Sequence, residues 1–257
     1  MSGQKSLKEI IKSVQSRHDM NTPTIVEQSF RDDMDFPLYL QKIYGRTYLK
    51  NKDRGLSDGE WLSRLQTFFF IKTLTKCVCE KIPEKADVLQ LGVASGSFER
   101  DIAAKMHNEG TYLIEDLSPA RLRACHRKLS PWLNITVEQK NICDDSASQD
   151  KKYDLVICFF IMHELPDGRK KQLIRRAYNS IKTDGQIVFV DYHKPSSFNP
   201  LGYFVKRYNR IFEPFAESLF YHDIQDFSPS STPMIWDKKT FCGGLYQCVT
   251  ARKKHQA

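Results

Sequence analysis

Between residues 87 and 192 short apolar runs alternate with segments of helical spacing, and nothing else in the chain constrains the fold as tightly. The pattern predicts strands at 87–92, 111–115, 135–139, 154–160 and 186–192, with helices at 97–107, 118–129 and 168–182. In "IKTDGQIVFVDY" Gly185 is expected to turn the chain from the last of these helices into its strand. Short buried strands separated by helices imply an α/β fold, a doubly wound and mostly parallel sheet with helices on both faces.

The flanks read differently. Residues 1–35 are polar and mixed in charge, and "SDGEWLSRLQTFFFIKTLTKCVCEKI" from Ser57 opens with Ser-x-x-Glu and continues at helical spacing to Pro83. This divides the chain into an N-terminal arm with capping helices over 1–80 and a main domain over 81–257. An aromatic and basic insertion at 196–228 interrupts that domain before "TFCGGLYQCVTARK", which reads as closing antiparallel strands.

At 257 residues and 40% apolar content one sizeable core suffices. Seven cysteines, odd in number and without metal-type pairing, point to reduced thiols and an intracellular setting. No run approaches the ~20 apolar residues of a membrane span, and the first residues lack the apolar stretch of a secretory signal, so a soluble or peripheral protein is expected. The net charge of +8 suits an anionic partner. No nucleic-acid reader motif accompanies it, so nucleic acid is not expected and an anionic membrane surface is.

In a doubly wound sheet a ligand sits beyond the carboxyl ends of the strands, beside the first strand-to-helix turn. Here that turn lies within "VLQLGVASGSFERDIAAKM", where Gly92 and Gly96 permit close approach and Ala94 replaces a third glycine. Gln90 stands where such folds usually place an acid. The spacing is looser than the dinucleotide fingerprint and matches the turn used for adenosyl ligands without a phosphate. Asp116 ends the next strand in "TYLIEDLSPARL", where its carboxylate can accept hydrogen bonds from both ribose hydroxyls, while Ser118 is the better helix cap. Asn141 and Ile142 would reach the adenine ring, with Asp144 as the alternative partner.

The order of glycine turn, "EDLSP", "YDLVICFFIMHEL" and "IKTDGQIVFVDY" resembles the class I methyltransferases, Rossmann-like enzymes that bind S-adenosylmethionine, across residues 85–192. "PLYLQKIYGRTYL", the Gln90 motif, "FFIMHE", "VDYHKP", "NPLGYF", "EPFAESLF" and "FCGGLYQ" resemble the rhodoquinone-biosynthesis methyltransferase-like proteins, which exchange a ubiquinone methoxy group for an amino group. Glutamine in the first motif is a feature of that narrower family, whereas Gly92, Ala94 and Ser95 are nearer the ordinary methyltransferase turn. The resemblance implies S-adenosylmethionine, a ubiquinone-like polyprenyl quinone, manganese, and a place peripheral to the inner membrane, cytoplasmic or mitochondrial. It also sets Phe159 beside the cofactor. An ordinary quinone or lipid methyltransferase and a non-catalytic adenosyl-binding accessory protein are the alternatives.

His163 and Glu164 follow the fourth strand, so an imidazole and a carboxylate there could deprotonate a quinol hydroxyl or hold a divalent cation. Asp191, Tyr192 and His193 end the fifth strand facing the same cleft. Tyr44 and Tyr48 either fold over the methionine end of the cofactor or pack as helix aromatics. His222 and Asp223 are metal ligands or exposed helix residues. In the insertion, Phe198, Tyr203, Phe204, Tyr208, Phe212, Phe215 and Phe220 interleave with Lys206, Arg207 and Arg210, the pattern of a helix lying in a membrane interface or of one packed on the sheet edge.

Overall fold

The computed structural model describes residues 30–31, 36–41, 70–94, 96–107, 109–144 and 151–254. Most of the arm lies outside the described residues, Tyr44, Tyr48 and the Ser57 capping box included. What is seen of the leading helix, residues 70–79, buries Leu74, Thr75, Cys77 and Val78 against the sheet.

The sheet has seven strands, β1 (Asp87–Leu91), β2 (Thr111–Asp116), β3 (Ile135–Gln139), β4 (Tyr153–Phe159), β5 (Ile181–Tyr192), β6 (Met234–Phe241) and β7 (Tyr246–Lys253). Their order is β3-β2-β1-β4-β5-β7-β6. The first five run parallel, while β7 pairs antiparallel with both β5 and β6. This is the Rossmann-like sheet of the class I methyltransferase fold, and its strand order reverses between β1 and β4. The ends of those two strands therefore border a crevice that the connecting helices leave open.

Helices α1 (Phe98–Met106), α2 (Pro119–Leu129), α3 (Asp167–Ser180) and α4 (Pro200–Phe212) supply the rest of the regular structure. α2 starts where it does because Pro119 fits the first helical turn and the Ser118 side chain accepts the Arg121 amide, as expected for the cap. α4 uses the same device, with Asn199 accepting the Leu201 amide and Pro200 following.

One boundary differs from the sequence expectation. α3 ends at Ser180, and β5 begins at once, at Ile181, with a register shift against β4 between Tyr153 and Leu155. Pairing with β4 passes directly from Ile181 to Gln186, so residues 182–185 bulge out of the ladder and Gly185, close to Lys182, turns the chain back into the buried part of β5 as expected. A Cβ there would stand 2.8 Å from the Tyr153 carbonyl oxygen, so glycine is required by the closeness of the neighbouring backbone.

Two apolar layers sandwich the sheet. One gathers Leu74, Val88, Phe98, Ile102, Phe159 and Tyr246, the other Leu89, Leu91, Val156, Leu173, Ile174 and Phe189. Phe98 and Phe159 stack with centroids 3.8 Å apart, which fixes the start of α1 on the end of β4.

Candidate functional site

The glycine turn is shaped from below by side chains that all find partners. Gly92 takes φ +90, and a Cβ on it would stand 2.9 Å from the Ile161 side chain. Gly96 takes φ +78, and a Cβ there would meet nothing within 4 Å, so the turn opens onto free space. Gln90 is fully buried. Its amide nitrogen donates to the Gly92 carbonyl at 2.7 Å and toward Glu99 at 3.3 Å, and its oxygen accepts from the Tyr112 hydroxyl. Glu99 in turn accepts the Ala94 amide at 2.6 Å and is neutralised by Lys128 at 2.6 Å. The acid missing from position 90 is thus supplied from the first turn of α1, and glutamine fits position 90 because it can donate to that acid.

Asp116 lies at the crevice with both oxygens engaged: Oδ2 accepts the Val93 amide at 2.8 Å and Oδ1 the Ser118 amide at 2.7 Å. Burial lifts its carboxyl above the usual range, while Arg121 and the two amides pull it back. A carboxylate offers about four acceptor positions, so one on each oxygen remains for a diol. Arg121 Nη1 stands 3.7 Å from Asp116, and the same guanidinium grips Glu164 at 2.7 and 3.3 Å.

His163 sits in the short helical turn Met162–Glu164 after β4. Its Nδ1 is 3.0 Å from Asp191 Oδ1, and its backbone amide donates to Asp191 Oδ2. Burial alone would favour the neutral imidazole. The charge and hydrogen bond of Asp191 outweigh it, and Glu213 and Glu164 add to them, so the pKa rises to about 9. The ring is therefore an imidazolium at neutral pH, a donor through Nε2 and not the base its position suggested. Around it stand Tyr192 at 5.1 Å, Phe160 at 6.0 Å and, beyond them, Tyr246. Phe160 holds φ +51, a strained conformation for an aromatic residue, which turns its ring into this wall.

The sequence-selected residues thus fall into distinct places. Gln90, Gly92, Ala94, Gly96 and Asp116 meet at one end of the crevice; His163, Asp191 and Tyr192 meet at the other. Asp191 has no exposed surface and acts through His163, and Tyr192 is buried in the aromatic wall. Asn141 turns its side-chain oxygen back to the Cys143 amide, and Ile142 joins the core beside Leu91 and Met162. Phe159 is a core pillar under the turn, and its neighbour Phe160 faces His163.

The metal assignment of His163 and Glu164 finds no support. Nδ1 of the one faces Asp191 and the carboxylate of the other holds Arg121, and no group of three His, Cys, Asp or Glu suited to a metal ion occurs among the described residues. His222 and Asp223 do not converge on an ion either, because Asp223 caps the Ile224–Phe227 turn and pairs with Lys238 and His193.

Four contributors escaped sequence reasoning. Glu99 and Lys128 pair across α1 and α2, Arg121 bridges two carboxylates, and Tyr39 of the arm lies against Phe215 at 5.9 Å. Burial raises the Tyr39 pKa, and Cys143, Arg169, Glu164 and Asp116 are near enough to act on it, so this tyrosine borders the crevice. An acid one turn into the helix after a glycine loop, and an arginine five residues past Asp116, were the available signals.

Residues 88–185 match the family described as methyltransferase domain. Among solved structures, the chain is similar to human N-acetylserotonin methyltransferase in complex with S-adenosylmethionine, with 16% identity and a TM-score of 0.58 over 86% of this chain and 61% of that one. An O-methyltransferase family protein from Burkholderia thailandensis gives 14% identity and 0.56 over 77% and 59%. The N-methyltransferase NodS from Bradyrhizobium japonicum, bound to S-adenosyl-L-homocysteine, gives 12% and 0.53 over 77% and 94%. The chain spans about 60% of the length of the first two. No curated protein matches it. Over residues 88–185 the chain is thus similar to methyltransferase domains, and its fold is that of these methyltransferase structures; the open glycine turn and Asp116 are of a kind that fits S-adenosylmethionine.

Proposed function

We propose that the protein uses S-adenosylmethionine to modify a membrane-borne, ubiquinone-like polyprenyl quinone, exchanging a ring methoxy for an amino group as the rhodoquinone-biosynthesis proteins do. The observation that carries this is the Asp191-held imidazolium of His163 set into a wall of Phe160, Tyr192 and Tyr246 at the end of the crevice opposite Asp116. A flat ring bearing a carbonyl suits such a wall, and a cationic donor suits the carbonyl oxygen better than a hydroxyl that must lose a proton.

S-adenosylmethionine, when bound, would supply the nitrogen that forms the new bond to the ring, while the ring C–O bond breaks and the methoxy leaves with a proton as methanol. The chain's own part is to orient and polarise. Asp116 holds the ribose diol and the glycine turn admits the cofactor backbone. His163 Nε2–H donates to a ring carbonyl and draws electron density from the carbon that bears the leaving methoxy. Asp191 keeps the imidazole protonated and fixed.

α4 suits a peripheral place on the inner membrane. Leu201, Phe204, Ile211 and Phe212 are exposed along one side of it and Arg207 and Arg210 along another, with Phe198, 97% exposed, just ahead. Among the described residues no helix is long and apolar enough to cross a membrane, so this helix would lie in the interface.

Mass spectrometry after incubation with a short-tailed ubiquinone and S-adenosylmethionine tests the proposal. An amino-quinone supports it, a methylated product supports an ordinary quinone methyltransferase, and no turnover supports a silent accessory protein. His163→Asn should keep cofactor binding and lower turnover on the order of 100-fold. Replacing Lys206, Arg207 and Arg210 together should weaken flotation with anionic liposomes by about 1 kcal/mol per charge; binding equal to the parent at low salt rejects the membrane surface.

A further inference from the structure

We propose that α4 is a lid over the acceptor end of the crevice and that Asn209, on its inner face, recognises the polar edge of the acceptor ring. The proposal rests on the acceptor reading above and adds a residue to it. Asn209 is 1% exposed, yet neither its amide nitrogen nor its amide oxygen has a hydrogen-bond partner among the described residues. Burying both lobes of an amide unpaired is costly, and native proteins rarely leave such a group without a ligand or water to complete it.

The position of that amide is fixed by its neighbours on the helix. Val205, one turn earlier on the same face, packs in the cluster that contains Tyr192, Phe220 and Tyr246. Glu213, one turn later, is close enough for its charge to act on both His163 and Tyr192. Lys206 lies over the Phe220 ring at 5.5 Å. The inner face of α4 therefore covers the aromatic wall.

The attachment of α4 is slight. Of its thirteen residues only Gly202, Val205 and Asn209 are buried, and one of these has no side chain and another no partner. A helix held by so few contacts can lift at small cost. It gains its missing hydrogen bonds when it closes on a ligand.

The chemistry of the amide limits that ligand. Nδ2 requires an acceptor and Oδ1 a donor, side by side. A ring carrying a carbonyl or methoxy oxygen next to a hydroxyl or amino N–H offers both. A phosphate or carboxylate would offer acceptors only.

Asn209→Leu, which keeps the branched skeleton and puts methyl groups in place of both amide atoms, separates a ligand contact from a structural one. Binding of a short-tailed ubiquinone and of S-adenosyl-L-homocysteine is titrated in the full-length parent and variant, alongside thermal unfolding of both. The variant is expected to unfold at the parental temperature or above it, to bind the quinone at least tenfold more weakly, and to keep its affinity for S-adenosyl-L-homocysteine. Asn209→Ala should show the same quinone loss if leucine is not accommodated. Unchanged quinone affinity in both variants overturns the proposal, and so does a fall in unfolding temperature without a change in quinone binding, which marks an amide satisfied by buried water. A parent that binds S-adenosyl-L-homocysteine but no quinone removes the acceptor reading itself, and the assignment of Asn209 with it.

Discussion

The two ends of the crevice are built on opposite plans. Around Gln90, Glu99 and Asp116 every polar group answers another: amides meet carboxylates, Lys128 balances Glu99, and Arg121 spans Asp116 and Glu164. Around His163 the surroundings are aromatic, with one charged pair in their midst and an unanswered amide above on α4. The polar groups of the first end are paired within the chain, whereas on the proposed acceptor reading the second end would be completed by a ligand. A site that always takes the same cofactor gains from a finished mould, and a site that must admit and release a bulky ring gains from a wall with a movable cover.

The sharpest way to break the finished end is to remove its buried cation. Lys128→Met leaves the Glu99 carboxylate without its counter-charge, and the loss expected in urea unfolding at neutral pH is about 3 kcal/mol, the lower end for a broken buried pair because Lys128 keeps some contact with water. A loss below about 1 kcal/mol would mean that the Gln90 and Ala94 donors suffice.

Next in size is the pH response of the aromatic end. The folded pKa of His163, about 9, lies above its unfolded value near 6.5, so the protonated ring stabilises the fold. That contribution is full below about pH 6.5 and is lost as the pH rises through 9, to a total of ~3 kcal/mol. Asp191→Asn should flatten this slope and lower stability mainly on the acid side. Equal slopes in parent and variant, followed by chemical denaturation at several pH values, would place the imidazole's partner elsewhere.

A smaller effect is expected at Asp116. Asp116→Ala should weaken S-adenosyl-L-homocysteine by about tenfold or more in calorimetry, and it should also cost ~1–3 kcal/mol of stability because the Val93 and Ser118 amides lose their acceptors. Weaker binding without any loss of stability would show that the turn does not depend on the carboxylate. Least of all should stability respond to Phe204→Ala or Ile211→Ala, both on the exposed side of α4. A change within about 0.5 kcal/mol is expected for each, and a larger loss would mean that this side is packed in solution.

The same contrast explains what could be read from the sequence. The alternation of strand and helix, the glycine turn and Asp116 are local patterns in which a few adjacent residues dictate backbone shape. They placed the sheet, and the structure brings the glycine turn and Asp116 together at the crevice. Glu99, Lys128 and Arg121 meet only because α1 and α2 pack side by side, and no spacing within one segment announces that. The His163–Asp191 pair was visible as two separate residues at two strand ends, but its sense was not. Whether an imidazole there takes or gives a proton depends on the carboxylate 28 positions away that faces it.

The reversal of strand order between β1 and β4 also divides the labour along the chain. Most of what shapes the cofactor end, from Gln90 to Lys128, belongs to the first two strands and the helices that follow them, with Phe159 and Ile161 supporting it from the end of β4, and the aromatic wall with its cover follows from Phe160 onward. An ion pair between Arg121 and Glu164 and the stack of Phe98 on Phe159 join the two portions. Such a layout is modular: the later portion can be exchanged or diversified, in inheritance or in the laboratory, and the acceptor altered, while the earlier portion goes on holding the same cofactor.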